Sequence, residues 1–445
     1  MNAVIFSVLL MLVLSFLGTP VVAAILLAAL LAGFIAQMPL QNAIDSFHLG
    51  IENGATIALS YAMLGAFAAA LNKSMVPSWY CQQLDKYLLA TKRHSALLTS
   101  FIVLVILLCA IISQNLIPIH IAFIPIIIPS LLILMNKLQL DRRAIACTLT
   151  FGLVATYMII PVGFGAIYID AILFKNLQLN HIDTNNLSIY QAMWLPVLGM
   201  FIGLLIALLF SYRKPRAYQI TQQQAQLTKP DQPISIKSPS KRNLIFVVLA
   251  LVITFISQIY TNSMIIGALV GFCILTLGQV ITLKETDHVF LDGMKMMAGI
   301  GFVMLSAQGF AQVLKDSGHI IELVNMSSAW LNFSPNLAAL LMLIIGLFIT
   351  MGIGSSFSTV PIIAAIFIPI ADQLGFSPLA ILALIGTAGA LGDAGSPVSE
   401  STLGPTAGLN ADGQHHHIKD SVIPTFIHFN LPLLVFGWLA VILLA

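Results

Sequence analysis

The stretch Gly-Asp-Ala-Gly-Ser-Pro-Val-Ser-Glu-Ser, residues 392–401, brings together two carboxylates, three hydroxyl groups, two glycines and a proline. It directly follows the apolar run 379–391, and the whole chain is 59% hydrophobic and only 8% charged. An acidic side chain at membrane depth is costly, so it normally faces a cavity, a partner or an ion. Glycine and proline break a helix there and free backbone carbonyls that bind cations. The stretch therefore predicts an ion or substrate site inside a membrane transporter.

The composition excludes an ordinary soluble domain, in which about a quarter of the residues are charged. Several apolar runs approach the roughly 20 residues that a membrane-crossing helix needs. They predict an all-α, polytopic protein of the inner (plasma) membrane, with the lipid bilayer as its surroundings. The formal net charge of +2 is too small, and the basic residues too scattered, for nucleic-acid binding. Residues 1–17 have no Lys or Arg before their apolar stretch, which favours a retained first span over a cleaved signal peptide.

One polar segment, residues 212–242, interrupts the apolar runs and is rich in Gln, Pro, Ser and basic residues. It predicts a basic cytoplasmic linker between two halves, residues 1–211 and 243–445. To keep the basic loops on the cytoplasmic side, residues 96–135 must enter and leave the membrane on one side, as a re-entrant hairpin. The matching hairpin at 330–374 then starts from the outside. The two halves are therefore expected to have opposite orientations.

Residues that match between the halves recur at an offset near 240. Asn115 precedes Pro129 by fourteen residues, and Ser355 precedes Pro369 by fourteen. Weak repeats with interrupted helices at corresponding positions are typical of secondary carriers, whose site lies near the bilayer midplane. We therefore expect two inverted-topology repeats with re-entrant hairpins and broken helices. Chance similarity between leucine-rich spans is the alternative.

The candidate binding residues group at the two hairpin tips and at two broken helices. Hydroxyls, amides and freed carbonyls are neutral oxygen ligands for Na⁺ or for a solute. Small residues at a tip also allow helices to pack closely, which is the alternative structural role. The first tip offers Ser113, Gln114 and Asn115; the second offers Gly354, Ser355, Ser356, Ser358 and Thr359.

The broken stretch of the second half contains Asp393 and Glu400. A carboxylate there could bind Na⁺, bind a substrate ammonium group or take up a proton; the alternative is a position in the aqueous mouth of the protein. The corresponding part of the first half contains Thr156, Pro161 and Gly163 but no matching acid. The two sites are therefore expected to be chemically unequal.

Three consecutive histidines, His415 to His417, follow Asp412 and resemble a metal cluster. Consecutive side chains cannot all point the same way on a regular element. We therefore expect a solvated loop, with pH sensing as the alternative.

Two stretches resemble a known family. Residues 391–402 are similar to the GD-x-x-SP-[IL]-S-[DE]-[ST]-T signature of the NhaC-type Na⁺/H⁺ antiporters, and residues 54–67 resemble the N-terminal domain (about residues 1–76) of the YuiF-like branch. The resemblance implies the ion transporter superfamily, with an elevator-type scaffold plus a mobile transport domain, and a homodimer. The ion and substrate positions that it implies are Asp393, Ser396, Pro397, Ser399 and Glu400, with Asp393 and Ser396 as candidate Na⁺ ligands.

These observations lead to two functional hypotheses. The first is Na⁺- or H⁺-coupled transport of a small organic solute, such as the amino acid histidine that the YuiF-like branch is suspected of carrying. The second is plain Na⁺/H⁺ antiport. An enzyme is disfavoured because no nucleophile–base pair, HExxH motif or glycine-rich phosphate loop is found. A channel is disfavoured because carboxylates at broken helices fit a closed site better than an open pore. No cofactor beyond the coupling ion is expected.

Overall fold

The computed structural model describes residues 2–76, 79, 95–116, 124, 128, 131–132, 134–136, 138–219, 238–261, 263–319, 322, 334–397 and 399–445. The second limb of the first predicted hairpin lies largely outside these residues, as do residues 220–237 of the predicted linker. The described residues are mostly helical and contain no strand.

The described residues of the first half form seven helices. They are α1 (Ala3–Phe16), α2 (Val21–Ile35), α3 (Leu40–Lys73), α4 (Ser95–Ile111), α5 (Arg142–Tyr157), α6 (residues 164–179) and α7 (Ile189–Ser211). A π-helical turn, Ile112–Leu116, continues α4, and α6 contains a π-helical stretch at Ile167–Phe174. Turns of this type inside helices often mark functional sites.

In the second half, the part of the chain that the structure describes forms eight helices. They are α8 (Lys241–Thr261), α9 (Met264–Leu277), α10 (Thr286–Asp316), α11 (Pro335–Ile353), α12 (Ser356–Gln373), α13 (Pro378–Ala390), α14 (Glu400–Leu409) and α15 (His417–Leu444). Five helices are long and apolar enough to cross a membrane, and several shorter apolar helices accompany them.

The longest helices, α3 and α10, pack along each other in antiparallel fashion. A Cβ added to Gly65 would lie 2.2 Å from the carbonyl oxygen of Gly293, and one added to Gly50 would lie 2.4 Å from that of Gln308. An earlier residue of α3 therefore contacts a later residue of α10, which means that the two helices run in opposite directions. Only glycine allows the backbones to approach this closely, as in other membrane helix pairs.

The helices form two packed groups. Helices α1, α2, α3, α8, α9 and α10 contact one another, and α4 to α7 pack with α11 to α15. The contacts between the groups include α10 with α12 and α1 with α11. Each half of the chain therefore contributes its first three helices to one group and the remainder to the other.

Burial separates the interior helices of the second group from the peripheral ones. The apolar window of α12 is 78% buried, whereas that of α8 is 22% buried. Nearly every residue of α5 and α13 is also buried. A helix that is hydrophobic all round and buried belongs to the interior, and one that is equally apolar but exposed suits contact with lipid. The second group is thus built around α5, α12 and α13.

Both stretches expected to interrupt a helix do so. The stretch of the first half with Pro161 and Gly163 is broken at residues 158–163, between α5 and α6, and the stretch of the second half with Asp393 is broken between the end of α13 at Ala390 and the start of α14 at Glu400. The first break ends at Gly163, whose φ of +63° and close approach to the Asn115 carbonyl (2.1 Å from an added Cβ) exclude a side chain.

Candidate functional site

The break at residues 391–399 is stabilised by side chains that replace the missing helical hydrogen bonds. Asn430 of α15 accepts from the Gly392 amide and donates to the Ala394 carbonyl, both at 2.7 Å. Ser401 donates to the Asp393 carbonyl at 2.8 Å. Buried backbone polar groups need such partners. The break is therefore an ordered part of the structure, held at a fixed position inside the second helix group.

Three hydroxyl groups surround the side chain of Asp393, which is only 6% exposed. Tyr157, the last residue of α5, donates to Oδ2 at 2.8 Å, and Ser356, the first residue of α12, donates to the same oxygen at 2.7 Å. Ser399 donates to Oδ1. A buried carboxylate is tolerated only when such donors compensate for the water it has lost. The two breaks and the tip between α11 and α12 therefore meet at this carboxylate.

The hydroxyl oxygens of Tyr157 and Ser356 are also only 2.5 Å apart. Together with Asp393 Oδ2 they form a triangle of three close oxygen atoms. When Asp393 is ionised, only the two hydroxyl protons are available for these three oxygen–oxygen contacts, so one contact lacks a hydrogen bond. A proton on Asp393 would supply the third, so the triangle can accept one more proton.

A similar arrangement is found at the other tip. The Asn115 side-chain amide donates to Thr156 Oγ1 at 2.6 Å, while Thr156 donates to the Gly152 carbonyl at the same distance. Asn115 also donates to the Ile111 carbonyl at 3.3 Å. Each tip is thus bonded to the end of the helix that breaks in its own half of the chain.

A cavity of about 400 Å³, counted with the part that is open to solvent, lies beside Asp393. Its walls come from both tips, both broken helices and, through Tyr61, from α3 of the other helix group. Two of the lining residues are acidic, and none of the lining residues within the described chain is basic. The lining residues are Tyr61, Gln114, Leu153, Val154, Tyr157, Phe164, Gly354, Ser355, Phe357, Asp393, Glu400 and Ser401.

The other residues predicted from the sequence lie close by, in contacts of their own. The Ser113 and Thr359 hydroxyls donate to carbonyls of their own helical segments, Ala110 and Ser355. The Ser358 hydroxyl is buried without a hydrogen-bond partner. Ser396 donates to the Met351 carbonyl at 2.9 Å, at the end of α11. Pro161 and Gly163 belong to the first break, and the Pro397 carbonyl accepts from His417 at 2.8 Å.

Sequence reasoning passed over the aromatic residues of the site. Tyr61, Tyr157, Phe164 and Phe357 form one cluster, with Tyr61 and Phe164 ring centroids 5.0 Å apart and those of Tyr157 and Phe357 5.1 Å apart. Tyr61, Tyr157 and Phe164 sit inside apolar runs, where an aromatic side chain resembles ordinary core. The usable signal was position, because Tyr157 directly precedes the first break and Phe357 lies among the serines of the second tip.

The expectation of a solvated histidine loop is wrong for His415. Its ring is 1% exposed, and its Nε2 lies 2.8 Å from the hydroxyl of Ser421. His417 is half-buried and connects Thr406 with Pro397. The loop folds inward because Ser421 and Thr406 offer hydrogen-bonding partners on α14 and α15. Among the described residues, no group of three or more His, Cys, Asp or Glu side chains could hold a metal ion.

The chain matches family models over most of its length. Residues 148–438 match the model of the Na⁺/H⁺ antiporter family, and residues 2–88 match a second one, also described as a Na⁺-H⁺ antiporter family. The chain belongs to the Na⁺/H⁺ antiporter family. The resemblance drawn from residues 391–402 and 54–67 is thereby confirmed.

Relatives and one solved structure agree with this assignment. An uncharacterized membrane protein of Vibrio parahaemolyticus is 49% identical over the full length of both chains, and the Bacillus subtilis protein named "Putative amino acid transporter YuiF" is 46% identical over the full length of both. The fold is similar to that of the Alcanivorax borkumensis YdaH transporter, with a TM-score of 0.55, 17% identity, and coverage of 91% of this chain and 88% of that one. The protein is therefore a multi-pass membrane transporter.

Proposed function

We propose that the protein is a secondary active transporter that couples the movement of a small organic solute, an amino acid such as histidine, to Na⁺ or H⁺. The observation that carries the proposal is the buried Asp393 carboxylate, bonded to hydroxyls from two other segments and lining the cavity between both tips and both broken helices. The name of the YuiF relative supports an amino acid as solute. Beyond the coupling ion, the proposal needs no cofactor.

The cavity has complementary ends for a zwitterion. Helix α12 begins beside it, after Gly354 in the left-handed conformation (φ +75°) and Ser355, and no side chain caps its first amides. Uncapped amides and the helix dipole favour a carboxylate at such a position. The carboxylates of Asp393 and Glu400 would face the ammonium group. If the α-carboxylate of the solute lies at the start of α12 and its α-amino group lies at Asp393 and Glu400, the side chain of the solute would face the other residues that line the cavity.

Two observations support inverted repeats. Asn115 bonds Thr156, 41 residues later, and Ser356 bonds Asp393, 37 residues later. In the α3–α10 pair, Gly65 contacts Gly293 and Gly50 contacts Gln308. Gly293 stands 243 residues after Gly50, and Gln308 stands 243 residues after Gly65. A shift of 243 residues between the repeats therefore converts each of these contacts into the other. An antiparallel pair whose contacts exchange in this way has local two-fold symmetry, as in carriers with opposed repeats.

The grouping of the helices supports an elevator mechanism. In this proposal the group containing α3 and α10 is the scaffold, and the group containing both tips and both breaks carries the solute. The cavity is lined by the mobile group except at Tyr61 of α3, so a sliding movement would change which side of the membrane it faces. A homodimer, in which scaffolds pair, rests on the family resemblance.

Plain Na⁺/H⁺ antiport is the second candidate. It is favoured by the name of the family and by the oxygen triangle at Asp393, which can accept one more proton. In that mechanism the cavity would be a passage for ions and would need no organic solute.

The test is uptake of labelled L-histidine into proteoliposomes, with and without an imposed Na⁺ or proton gradient, beside a pH-dye assay of Na⁺-driven proton movement. We expect gradient-dependent uptake that Asp393→Asn abolishes. Asp372→Asn, a change of the same kind at an exposed position near the end of α12, should leave uptake unchanged. Proton exchange without uptake of any amino acid would favour antiport, and flux insensitive to Asp393→Asn would remove this carboxylate from both mechanisms.

A further inference from the structure

The Gln114 side chain faces the cavity with an unused acceptor. Gln114 lies on the π-helical turn 112–116, is 3% exposed and lines the cavity. Its Oε1 is buried and has no hydrogen-bond partner among the described residues. The neighbouring Asn115 bonds Thr156 and Ile111 through its side-chain NH2 group, and its Oδ1 is likewise buried without a described partner, but Asn115 does not line the cavity. Gln114 has no part in the proposed binding of the ion, or of the α-carboxylate and α-amino groups of the solute.

A buried acceptor without a donor is unfavourable, because it has lost its hydrogen bonds to water and gained none in return. Most buried polar groups in folded proteins are paired for this reason. Among the described residues, no group on the cavity wall bonds Gln114 Oε1. The Tyr157 and Ser401 hydroxyls are directed to Asp393, the hydroxyls of Tyr61 and Ser355 make no bond to Gln114, and no basic side chain lines the described wall. A ligand that brings a hydrogen-bond donor would therefore satisfy Gln114.

The same cavity presents aromatic rings to its occupant. Tyr61, Phe164 and Phe357 all line it, with ring centroids 5.0 to 6.2 Å from one another. Aromatic walls favour a flat group that stacks on them or meets them edge to face. Cationic groups also bind ring faces, and the absence of basic lining residues leaves such a group unopposed.

We propose that Gln114 and these three rings form a subsite for the solute side chain, and that this side chain is planar and carries an N–H donor. Gln114 is then the residue that determines specificity, through an N–H···Oε1 hydrogen bond. The inference rests on the proposed solute transport and adds the chemical class of the transported side chain. Imidazole, indole, guanidinium and carboxamide groups meet the requirement, and a phenyl ring does not.

The size of the expected discrimination follows from the burial of Gln114. A site built to accept a hydrogen bond rejects an analogue without the donor strongly, because the buried acceptor is then left unpaired. We expect the uptake efficiency for L-histidine to exceed that for L-phenylalanine at least 100-fold in the unmodified protein. Gln114→Met keeps the length of the side chain and removes the acceptor, so it should lower this ratio at least tenfold, mainly through loss of L-histidine uptake. Gln114→Glu keeps an acceptor and should preserve the preference.

The chain offers a matched control. Gln308 is likewise a buried glutamine with an unpaired side-chain atom, its Nε2, but it lies between α3 and α10 and does not line the cavity. Gln308→Met should leave the ratio unchanged.

A measurement on the unmodified protein avoids any folding defect of the variants: L-histidine should raise the unfolding temperature in detergent, and L-phenylalanine at the same concentration should not.

The outcomes separate this inference from the proposed function. If Gln114→Met lowers uptake of both amino acids equally, or changes only the dependence on Na⁺, the amide serves the ion or the fold and the subsite is refuted. Equal stabilisation by both amino acids would refute it as well. If the unmodified protein takes up no amino acid under any gradient, the proposed solute transport itself fails. If it transports both amino acids equally well, solute transport stands and only the subsite fails.

Discussion

At the scale of single residues, the site depends on Asp393 and on hydroxyl groups far from it in the chain. The sequence predicted the carboxylate, because an acid between glycines in an apolar run has few structural explanations. It could not predict Tyr157, which is 236 residues away and looks like any other aromatic residue of an apolar helix. Partners of this kind depend on how helices pack, and a local pattern does not contain that information.

Removing one donor from Asp393 should weaken transport without abolishing it. In Tyr157→Phe the carboxylate keeps its bonds to Ser356 and Ser399. A hydrogen bond to a charged group contributes about 1.5–3 kcal/mol, so gradient-driven uptake should fall roughly tenfold or more. Tyr190→Phe, at an exposed position on α7, should have no effect. Unchanged uptake in Tyr157→Phe would mean that this hydroxyl plays no part in the coupling site.

His415 should make the protein less stable in acid. Burial, reinforced by Arg142 and Arg216 and opposed by Asp420, lowers the pKa of His415 from 6.5 to about 4. The folded state therefore holds His415 neutral, and its contribution is complete above pH 6.5 and is lost as the pH falls toward 4. The total effect is up to about 3 kcal/mol.

The measurement is the unfolding temperature of the purified protein in detergent between pH 7 and pH 4. His415→Gln should reduce the loss of stability on acidification, and His48→Gln, which changes an exposed histidine on α3, should not. An identical pH dependence in His415→Gln and the unmodified protein would contradict the assignment.

At the scale of helices, the sequence located most elements but misjudged the two longest. The apolar runs in these regions cover only about residues 54–73 and 294–314, whereas α3 begins at Leu40 and α10 at Thr286. The first turns of both helices are rich in polar residues, and a hydropathy pattern does not distinguish such residues from those of a loop. These turns remain helical because α3 and α10 pack along each other, a long-range contact that hydropathy does not record.

The close approach of α3 and α10 should make Gly65 sensitive to the smallest enlargement. A methyl group at Gly65 would lie 2.2 Å from the Gly293 carbonyl, whereas one at Gly301 of the same interface would lie 3.5 Å from its nearest neighbour. Gly65→Ala should therefore destabilise the protein by about 1–3 kcal/mol, and Gly301→Ala should cost much less. Thermal unfolding in detergent compares the two variants directly. Equal stability of both would show that the backbones are farther apart than described here.

At the scale of the whole molecule, a buried ion pair joins the two halves of the chain. Arg142, the first residue of α5, is fully buried and binds both carboxylate oxygens of Asp412, at 2.6 and 2.5 Å. It also donates to the Leu409 carbonyl at 2.7 Å, where α14 ends. Nothing in the sequence indicates this contact, because the two residues are 270 positions apart and each resembles an ordinary charged residue of a loop.

Breaking this pair should be far more damaging than breaking an exposed one. Asp412→Asn leaves the Arg142 charge buried without its counter-ion, at a cost of about 3–5 kcal/mol. Asp292→Asn removes the exposed carboxylate that contacts Lys295 at 3.6 Å, and should cost at most about 1 kcal/mol. The yield of monodisperse protein and its unfolding temperature are the readouts. A similar, small effect of both changes would mean that Arg142 finds other partners.

The segment after α7 ties the two halves together in a second way. Arg216 pairs with Asp420 at 2.7 Å, and Gln219 and Gln414 exchange two hydrogen bonds of 2.7 Å each. Residues 212–219 thus belong structurally to both halves, although the chain places them at the end of the first. If the gene were divided and its two products co-expressed, a first fragment ending after Gln219 should retain the second on an affinity column more firmly than one ending at Ser211, which keeps the α3–α10 and Arg142–Asp412 contacts but lacks those of Arg216 and Gln219. The best point at which to divide this polypeptide would then lie after Gln219, inside the segment that composition alone marks as a linker.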